Sequence, residues 1–298
     1  MLHSGVATPS AALVAVKFVA EVSSNHQRDL QRCYAFIDTA LGIGCAAVKF
    51  QLFRVGELFA PEILQRSARH RARREWELPL DFIPLLAQRC RERGIEFACT
   101  PFSLAAVDEL VPHVAFFKVS SYELMWDALL RACAHTGKPV VLSTGMATLD
   151  EIAHAVDVLR SGRCRDLTLL HCVSSYPAPP EQANLAAMRT LAQRFDCPIG
   201  WSDHTVSPAV IYRAAHHYNA AMVEFHLDLE TNGAEYASGH CWLPDQMKAV
   251  INAVKTGFSA DGDGVKAPCP AEQPDRDWRA DPSDGLRPLR AVRKDWRP

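Results

Sequence analysis

The stretch PIGWSDHTVSPAVIYRAAHHYNAAMVEFHLD, residues 198–228, decides the fold. It begins with an apolar run over 198–204, continues with an amphipathic stretch over 208–218 and ends with a second apolar run over 220–228. Short apolar runs separated by amphipathic stretches of helical length are typical of β-strands alternating with α-helices. Pro208 directly after Ser207 fits the first turn of a helix behind its cap. The stretch therefore predicts a strand–helix–strand unit.

The same alternation extends from residue 17 to residue 255. It predicts eight strands, over residues 17–22, 46–53, 95–100, 116–121, 139–145, 167–176, 198–204 and 220–228. The predicted helices lie between them, over residues 29–41, 79–93, 104–110, 125–135, 149–159, 185–195 and 208–218, with a last one over 244–255. Eight strand–helix units favour an α/β fold of the closed (β/α)8 kind, a TIM barrel.

Two segments fall outside this alternation. Residues 54–78 form a long predicted loop, and a loop of this length is either functional or poorly ordered. Residues 258–298 contain eight cationic and eight anionic side chains with no helical or strand period, which is typical of a linker or an extended arm. We expect a barrel domain over residues 1–257 followed by a C-terminal tail over 258–298. The arginines of the loop are Arg66, Arg69, Arg71, Arg73 and Arg74.

The composition indicates a globular protein. Of the 298 residues, 48% are apolar and 22% are charged, with 32 basic and 34 acidic side chains for a net charge of −2. This balance argues against a disordered chain and against a protein that binds nucleic acid or a membrane surface. The apolar run over residues 11–20 contains Lys17 and is shorter than the roughly 20 residues that span a bilayer. Residues 1–10 lack the cationic start of a signal peptide, so a cytoplasmic location is expected.

The ten cysteines never form a Cys-x-x-Cys pair. They are scattered in apolar contexts such as Phe97-Ala98-Cys99, where cysteine behaves as a small hydrophobic residue. A disulfide scaffold or a zinc ribbon is therefore not expected.

Almost every predicted strand carries polar side chains at its C-terminal end. In a (β/α)8 barrel these ends form one rim, which is where active sites lie. Side chains two residues apart point to the same side of a strand. Three such pairs occur, namely Lys49 with Gln51, Ser202 with His204, and Glu224 with His226. The complete set is Glu21, Lys49, Gln51, Thr100, Lys118, Ser121, Ser143, Ser174, Tyr176, Ser202, His204, Glu224 and His226.

The residue types in this set suit an anionic ligand. An unpaired buried charge is costly, so lysines gathered at one rim imply an anion there. Lys49 and Lys118, together with serine and threonine hydroxyls, suit a trianion such as phosphoenolpyruvate. Taken singly, a lysine or serine at a strand end is more often a structural rim residue with its own hydrogen-bond partner.

The two histidines of the rim suit a divalent metal ion. His204 and His226 end neighbouring strands, and the carboxylates of Glu21 and Glu224 are expected nearby. The competing interpretation is a hydrogen-bonded pair at the top of a barrel. His216 and His217 lie within a predicted helix that looks solvated, and no role is assigned to them.

The motifs at the strand ends resemble those of a known family. They are Ala20-Glu21-Val22-Ser23-Ser24-Asn25-His26, Val48-Lys49-Phe50-Gln51, Thr100-Pro101-Phe102-Ser103, Phe117-Lys118-Val119-Ser120-Ser121, Ser143-Thr144-Gly145-Met146, Cys172-Val173-Ser174-Ser175-Tyr176-Pro177, Trp201-Ser202-Asp203-His204-Thr205 and Glu224-Phe225-His226. Their order and approximate spacing, over residues 17 to about 272, resemble the sialic acid synthase (N-acetylneuraminate synthase) family. The resemblance implies a TIM barrel, a divalent metal ion, usually Mn²⁺ or Mg²⁺, and condensation of phosphoenolpyruvate with the open-chain aldehyde of an N-acetylated sugar. The products would be a nonulosonic acid and phosphate.

The resemblance also implies a role for each strand-end residue. Glu21, Glu224 and Lys118 would be the catalytic residues, with the glutamates binding sugar hydroxyls or handling protons. His204 and His226 would bind the metal. The sugar chain would contact Gln51, Ser174 and Tyr176, and phosphoenolpyruvate would be held by Lys49, Thr100, Lys118, Ser121, Ser143 and Ser202.

The chain departs from the family pattern in two places. Most members carry Gly-Pro-Asp-His or a similar motif after the last metal histidine, whereas this chain has Gly233-Ala234-Glu235-Tyr236 in a shorter loop. Most members also continue into an antifreeze-like domain whose arginine caps the active site of a neighbouring subunit, and only the linker pattern of that domain is recognised here. We expect a homodimer in which the loop over 54–78, or Arg287 or Arg290 of the tail, covers the site.

Three other functions compete with this one. A synthase of the 3-deoxy-heptulosonate or 3-deoxy-octulosonate phosphate kind would need a second anion site, which only the arginines of residues 66–74 offer. An aldolase could form a Schiff base on Lys118, but it would leave the histidines unexplained. A non-catalytic binding protein is the third possibility. A protein that had lost its catalytic activity would be expected to have lost the rim lysines and histidines, and all of them are present here.

Overall fold

The computed structural model describes residues 16–295 and residue 297. Eight parallel strands form a closed barrel in sequential order, with the last strand pairing with the first. The strands are β1 (Lys17–Glu21), β2 (Ala47–Leu52), β3 (Glu96–Pro101), β4 (Phe116–Val119), β5 (Val140–Ser143), β6 (Leu167–Cys172), β7 (Ile199–Asp203) and β8 (Met222–His226). The predicted TIM barrel is therefore confirmed. The stretch considered for a signal peptide, residues 1–10, lies outside the described residues.

The helices follow the strands around the barrel. They are α1 (Leu30–Ile43), α2 (Val55–Leu58), α3 (Pro61–Arg66), α4 (Ala68–Ala72), α5 (Phe82–Arg93), α6 (Leu104–Leu110), α7 (Asp127–His135), α8 (Leu149–Ser161), α9 (Ala186–Arg194), α10 (Pro208–Tyr212), α11 (Ala234–Ala237), α12 (Pro244–Ala260) and α13 (Arg290–Arg293). The predicted helix over 208–218 changes to wider π-type turns at Arg213–His217. Among the described helices, none combines the length and the apolar character needed to cross a bilayer.

The interior of the barrel has two layers, because side chains two residues apart on a strand face the same side. The lower layer is an apolar cluster of Val19, Ala47, Ala98, Phe116, Val141, Leu170 and Met222. Two residues further along each strand, the same inward-facing row carries Glu21, Lys49, Thr100, Lys118, Ser143, Cys172 and Glu224. Strand β7 contributes Gly200 below Ser202, and a Cβ at Gly200 would lie 2.4 Å from the Met222 carbonyl oxygen. The polar layer is thus supported by a packed apolar floor.

Residues 54–78 are helical rather than a loop, so this part of the prediction is wrong. Pro61 begins α3, and the Ser67 hydroxyl caps α4 by accepting from the His70 amide. The Arg71 guanidinium donates to the Gln65 carbonyl oxygen at 3.2 Å. The Arg73 guanidinium lies 5.1 Å from the centre of the Trp76 ring. These local caps and contacts order a segment in which hydrophobic periodicity is weak.

The chain divides into two compact units after Phe258. The second unit contains α13 and two short 3₁₀ turns, Pro270–Glu272 and Arg276–Trp278. Within it, the Arg290 Nε lies 3.1 Å from Asp284 Oδ2, so this candidate cap arginine already has a carboxylate partner. We keep the organisation into a barrel domain over 1–257 and a tail over 258–298 as a proposal.

Candidate active site

Four buried charges meet in the upper layer of the barrel. Lys49 on β2 lies between two carboxylates, with its Nζ 2.8 Å from Glu21 Oε2 and 3.6 Å from Glu224 Oε2. Lys118 on β4 places its Nζ 3.4 Å from Glu224 Oε1. All four side chains are buried. Their convergence agrees with the expectation from the strand pattern, and the two positive charges offset the two negative charges. We call these four residues the buried quartet.

The buried quartet perturbs its own protonation. Burial alone would raise the pKa of Glu224, but the ammonium groups of Lys118 and Lys49 outweigh it and lower that pKa to about 2. Burial alone would lower the pKa of Lys49, but the carboxylates of Glu21 and Glu224 outweigh burial and raise that pKa. Lys118 differs, because burial dominates and lowers its pKa. Lys118 is therefore the less firmly charged of the two lysines.

Hydroxyl groups border the buried quartet. Thr100 accepts a hydrogen bond from Lys49 Nζ at 3.2 Å, and Ser202 donates to Glu224 Oε1 at 3.1 Å. The Ser143 hydroxyl is buried and has no hydrogen-bond partner among the described residues. A buried polar group without a partner costs free energy, so a ligand at this position would gain a hydrogen bond from Ser143.

A glycine leaves space at the end of β5. The Gly145 amide donates to the Ser121 hydroxyl at 2.9 Å. A Cβ at Gly145 would lie 2.3 Å from Ser174 Oγ and 2.8 Å from Cys172 Sγ, so no side chain fits there. Ser121 and Ser174 therefore reach the same small space, as the rim prediction required.

The residues expected to contact the sugar chain lie on two sides of the barrel mouth. Gln51 donates to Glu21 Oε1 at 2.6 Å, which ties it to the buried quartet. Tyr176 is 42% exposed, and its ring packs 4.2 Å from the centre of the His204 ring. An aromatic ring that is open to solvent on one side and packed on a histidine on the other forms a wall of the site.

His204 is held in one tautomer. Its Nδ1 lies 2.7 Å from the Val173 carbonyl oxygen, which can only accept, so Nδ1 carries the proton and Nε2 keeps a free lone pair. Burial, reinforced by the neighbouring His226, lowers the pKa of His204 to about 3. A neutral imidazole whose other nitrogen is fixed by a carbonyl is the form that binds metal ions.

His226 lies beside His204 but belongs to a different group of possible ligands. The two ring centres are 5.4 Å apart. The atoms that lie within 4.8 Å of one another and could share an ion belong to His226, Glu235, His240 and Cys241, and His204 is not among them. The expected carboxylates Glu21 and Glu224 pair with lysines instead. The residues present thus fit a divalent ion, with Glu235 as the carboxylate closest to His226.

Sequence reasoning missed Glu235, His240 and Cys241. Glu235 stood in the motif set aside as a departure from the family, and Cys241 was taken for a small hydrophobic residue. The signal that could have found them is the dipeptide His240-Cys241, which places two strong metal ligands next to each other. Burial, with the Glu235 carboxylate adding to it, raises the pKa of the Cys241 thiol.

Asp203 was also missed, and it supports the turn that carries His204. It is fully buried and accepts hydrogen bonds from the indole nitrogens of Trp201 at 3.0 Å and Trp242 at 2.9 Å. It also accepts from the Thr205 hydroxyl at 2.7 Å. These bonds fix the end of β7 and connect it to the segment that follows β8.

The NeuB family model matches residues 36–266 of the chain. The chain is 35% identical over 261 residues to an uncharacterized protein of Methanocaldococcus jannaschii, covering 86% of this chain and 74% of the relative. It is 32% identical over 268 residues to N,N'-diacetyllegionaminic acid synthase of Campylobacter jejuni, covering 86% of this chain and 80% of that relative. Among solved structures, N-acetylneuraminic acid (sialic acid) synthetase from Leptospira borgpetersenii superposes with a TM-score of 0.77 at 28% identity, covering 87% of this chain and 90% of that one.

Proposed function

The chain belongs to the NeuB family, and on that basis we propose that it is a nonulosonic acid synthase. In this proposal it condenses phosphoenolpyruvate with the open-chain aldehyde of an N-acetylated sugar and releases phosphate. The relatives named as synthases of a legionaminic acid and of sialic acid support the reaction class. We further propose that it acts in the cytoplasm as a homodimer.

The observation that carries the proposal is the buried pair of lysines with an unpartnered hydroxyl beside them. Lys49 and Lys118 place two ammonium groups in a pocket where the Ser143 hydroxyl has no hydrogen-bond partner within the described part of the chain. A trianion bound here would take up the Ser143 hydrogen bond and both ammonium groups. Thr100, Ser121 and Ser202 would supply further hydroxyl donors.

Binding of the trianion would change the protonation of Glu224. Lys118 and Lys49 hold its pKa at about 2 while they face it. Once the ammonium groups turn toward phosphate and carboxylate oxygens, burial raises this pKa, because the opposing charge is then shared with the ligand. Glu224 becomes able to accept a proton only when substrate is present. Glu224 is therefore a better candidate than Glu21 for the general base that activates water, because Glu21 is paired with Lys49 and Gln51.

The reaction then follows from the placement of these groups. The C3 carbon of phosphoenolpyruvate forms a bond to the aldehyde carbon, which leaves an alkoxide on the former aldehyde oxygen and a cation at C2. Water adds to C2, and the proton that it loses passes to Glu224 and from there to the alkoxide, which becomes a hydroxyl. The tetrahedral intermediate then breaks its C–O bond to phosphate, its hydroxyl proton leaves with the phosphate and a keto acid remains, while Lys49 and Lys118 stabilise the departing phosphate.

The metal site and the sugar contacts complete the proposal. A divalent ion held by His204 and His226 would supply Lewis-acid polarisation of the aldehyde carbonyl. Gln51, Ser174 and Tyr176 would contact the sugar chain at the barrel mouth. Because Glu235 stands in the loop where the chain departs from the family motif, the preferred aldehyde is expected to differ from that of the relatives.

The test is phosphate release from phosphoenolpyruvate over a panel of aldehydes. The panel contains N-acetylated hexosamines, the corresponding diacetylated deoxysugars and phosphorylated pentoses and tetroses, each with added Mn²⁺, Mg²⁺ or Zn²⁺. We expect release with an N-acetylated sugar and a keto acid product in equal amount. Phosphoenolpyruvate labelled with heavy oxygen at the bridging position should give labelled phosphate, because the C–O bond breaks.

The panel also tests the competing functions. Release only with phosphorylated aldehydes would favour a 3-deoxy-ulosonate phosphate synthase instead. Trapping of a carbonyl compound on Lys118 by borohydride would identify an aldolase. If no aldehyde and no metal ion supports phosphate release, the synthase proposal is wrong.

A further inference from the structure

Strand β7 ends in a turn whose backbone has an uncommon conformation. Val206, two residues after His204, has a φ of 51°. A positive φ is rare for a β-branched residue, and such a conformation persists only where the surrounding contacts fix it. The contacts around this turn therefore determine where the His204 imidazole lies.

Asp203 supplies these contacts from within the turn. Its Oδ1 accepts from the Thr205 hydroxyl at 2.7 Å and from the Thr205 amide at 3.3 Å, and its Oδ2 accepts from the Val206 amide at 3.2 Å. The carboxylate is fully buried, which strengthens each of these bonds. The Trp242 indole nitrogen donates to Oδ2 at 2.9 Å. Trp242 thus ties the turn that carries His204 to the segment after β8.

Trp242 is tied equally to the strand that ends in His226. Its amide donates to the His226 carbonyl oxygen at 2.8 Å, and its own carbonyl oxygen accepts from the Asp228 amide at 3.0 Å. The ladder between β7 and β8 ends earlier, at the pair of Asp203 and Phe225, so it includes neither histidine. Trp242 therefore connects the two strand ends beyond the point where the ladder stops.

We propose that Trp242 is a positioning residue, which sets the separation of the His204 and His226 imidazoles for a shared divalent ion. The two ring centres lie 5.4 Å apart, and the Val173 carbonyl oxygen fixes the other side of His204 at 2.7 Å. Partners outside the ligand shell orient the ligands, and their loss typically costs about 10–100-fold in metal affinity. The role of Trp242 deepens the proposed function, on which it rests for the use of the ion.

The experiment measures Mn²⁺ binding by the full chain in the absence of both substrates. Trp242→Phe keeps an aromatic ring and removes the indole N–H, which among the described residues leaves the Val206 amide as the donor to Asp203 Oδ2. Chelator-treated protein, shown to be metal-free by elemental analysis, is titrated with Mn²⁺, and the free ion is measured by electron paramagnetic resonance. We expect the Mn²⁺ affinity of Trp242→Phe to fall about 10–100-fold.

Trp201→Phe is the matched control, because it removes the other indole bond to the same carboxylate. The Trp201 indole donates to Asp203 Oδ1 at 3.0 Å from within β7, and Oδ1 keeps both Thr205 donors when that indole is removed. The Mn²⁺ affinity of this variant should therefore fall by less than about tenfold. Pulsed electron paramagnetic resonance counts the imidazole nitrogens on the bound ion, and we expect two in the unaltered chain and in Trp201→Phe but one in Trp242→Phe.

Phosphoenolpyruvate binding distinguishes positioning from general damage to the barrel. Lys49 and Lys118 lie on β2 and β4, so metal-free Trp242→Phe should bind phosphoenolpyruvate as the metal-free unaltered chain does. If the urea midpoint shows that Trp242→Phe fails to fold, benzothienylalanine at position 242 replaces it, since it exchanges only the indole N–H for sulfur. Unchanged Mn²⁺ affinity with two imidazole nitrogens in the variant would overturn the inference. So would an equal loss of Mn²⁺ affinity in Trp201→Phe, or a parallel loss of phosphoenolpyruvate binding.

Failure of this inference is distinguishable from failure of the synthase proposal. The Mn²⁺ titration contains neither substrate. If Trp242→Phe loses affinity as expected but no aldehyde supports phosphate release, the positioning role stands and the function is wrong. If phosphate is released but Trp242→Phe binds Mn²⁺ as the unaltered chain does, the function stands and the positioning role is wrong.

Discussion

The buried quartet and the tail contain similar ion pairs in opposite surroundings. In the barrel, Lys49 lies 2.8 Å from Glu21 Oε2, and both side chains are almost fully buried. In the tail, Arg293 Nη2 lies 2.8 Å from Asp284 Oδ1 at the surface. Separation alone therefore does not distinguish the two pairs. What differs is the solvent around them.

This difference decides what each set of charges can do. Exposed pairs are screened by water and salt, so they contribute little to stability. Buried charges interact strongly and cost several kcal/mol when a partner is lost, which is why they respond to a ligand that competes for the same partner. The buried quartet is accordingly placed to bind an anion, whereas the tail pairs serve to order their own turn.

The largest effect is expected from Lys49→Met. Among the described residues, this variant leaves the buried Glu21 carboxylate with Gln51 and the Ser23 amide as its hydrogen-bond partners. The free energy of unfolding should therefore fall by about 3–5 kcal/mol. Urea unfolding measures it. The double variant Lys49→Met/Glu21→Gln should recover most of the loss, because it removes the unpaired charge as well. A single variant as stable as the unaltered chain would contradict the account of the buried quartet.

Acid should destabilise the barrel through Glu224. Its folded pKa is lowered from 4.5 to about 2, so the folded state binds fewer protons than the unfolded state in this range. The corresponding stability is fully present above pH 4.5 and is lost as the pH falls toward 2. Urea midpoints measured across this range should fall steeply for the unaltered chain and less steeply for Glu224→Gln. Asp245→Asn, at an exposed position in the first turn of α12, should leave most of the slope in place.

A smaller effect is expected from Lys118→Ala on ligand binding. Loss of a charged hydrogen bond to phosphoenolpyruvate should weaken binding by about 1.5–3 kcal/mol. Calorimetric titration of phosphoenolpyruvate measures it. Lys248→Ala, which removes an exposed lysine from α12, is the matched control and should bind as the unaltered chain does. Equal affinities for Lys118→Ala and the control would remove Lys118 from the proposed site.

The smallest effect is expected from Arg293→Ala. Although its guanidinium contacts Asp284 and the carbonyl oxygens of Leu286 and Pro288, these partners can be hydrated at the surface when it is removed. The urea midpoint of the chain should not change measurably, at low or high salt. A midpoint lowered as far as in Lys49→Met would show that the comparison between buried and exposed pairs is wrong.

The sequence was a reliable guide wherever a local period governs the structure. The two-residue repeat of each strand places Glu21, Lys49 and Glu224 in one inward-facing row above an apolar floor, and this could be predicted before any contact was known. The helical segment over 54–78 could not be predicted, because short helices fixed by caps and by arginine–aromatic contacts leave little periodic signal.

The amino-acid sequence by itself determined the barrel and the identity of its rim, since strand and helix periods are local and the rim collects every strand end. Only the tertiary structure brought Glu235, His240 and Cys241 to His226. These residues follow β8 at irregular spacing, and their meeting depends on the return of the chain through Trp242 to the His226 carbonyl and to Asp203. Contacts made by a loop that folds back follow no periodic pattern along the chain. The sequence therefore does not predict that these side chains meet, and only the closed barrel with its returning loop brings them together.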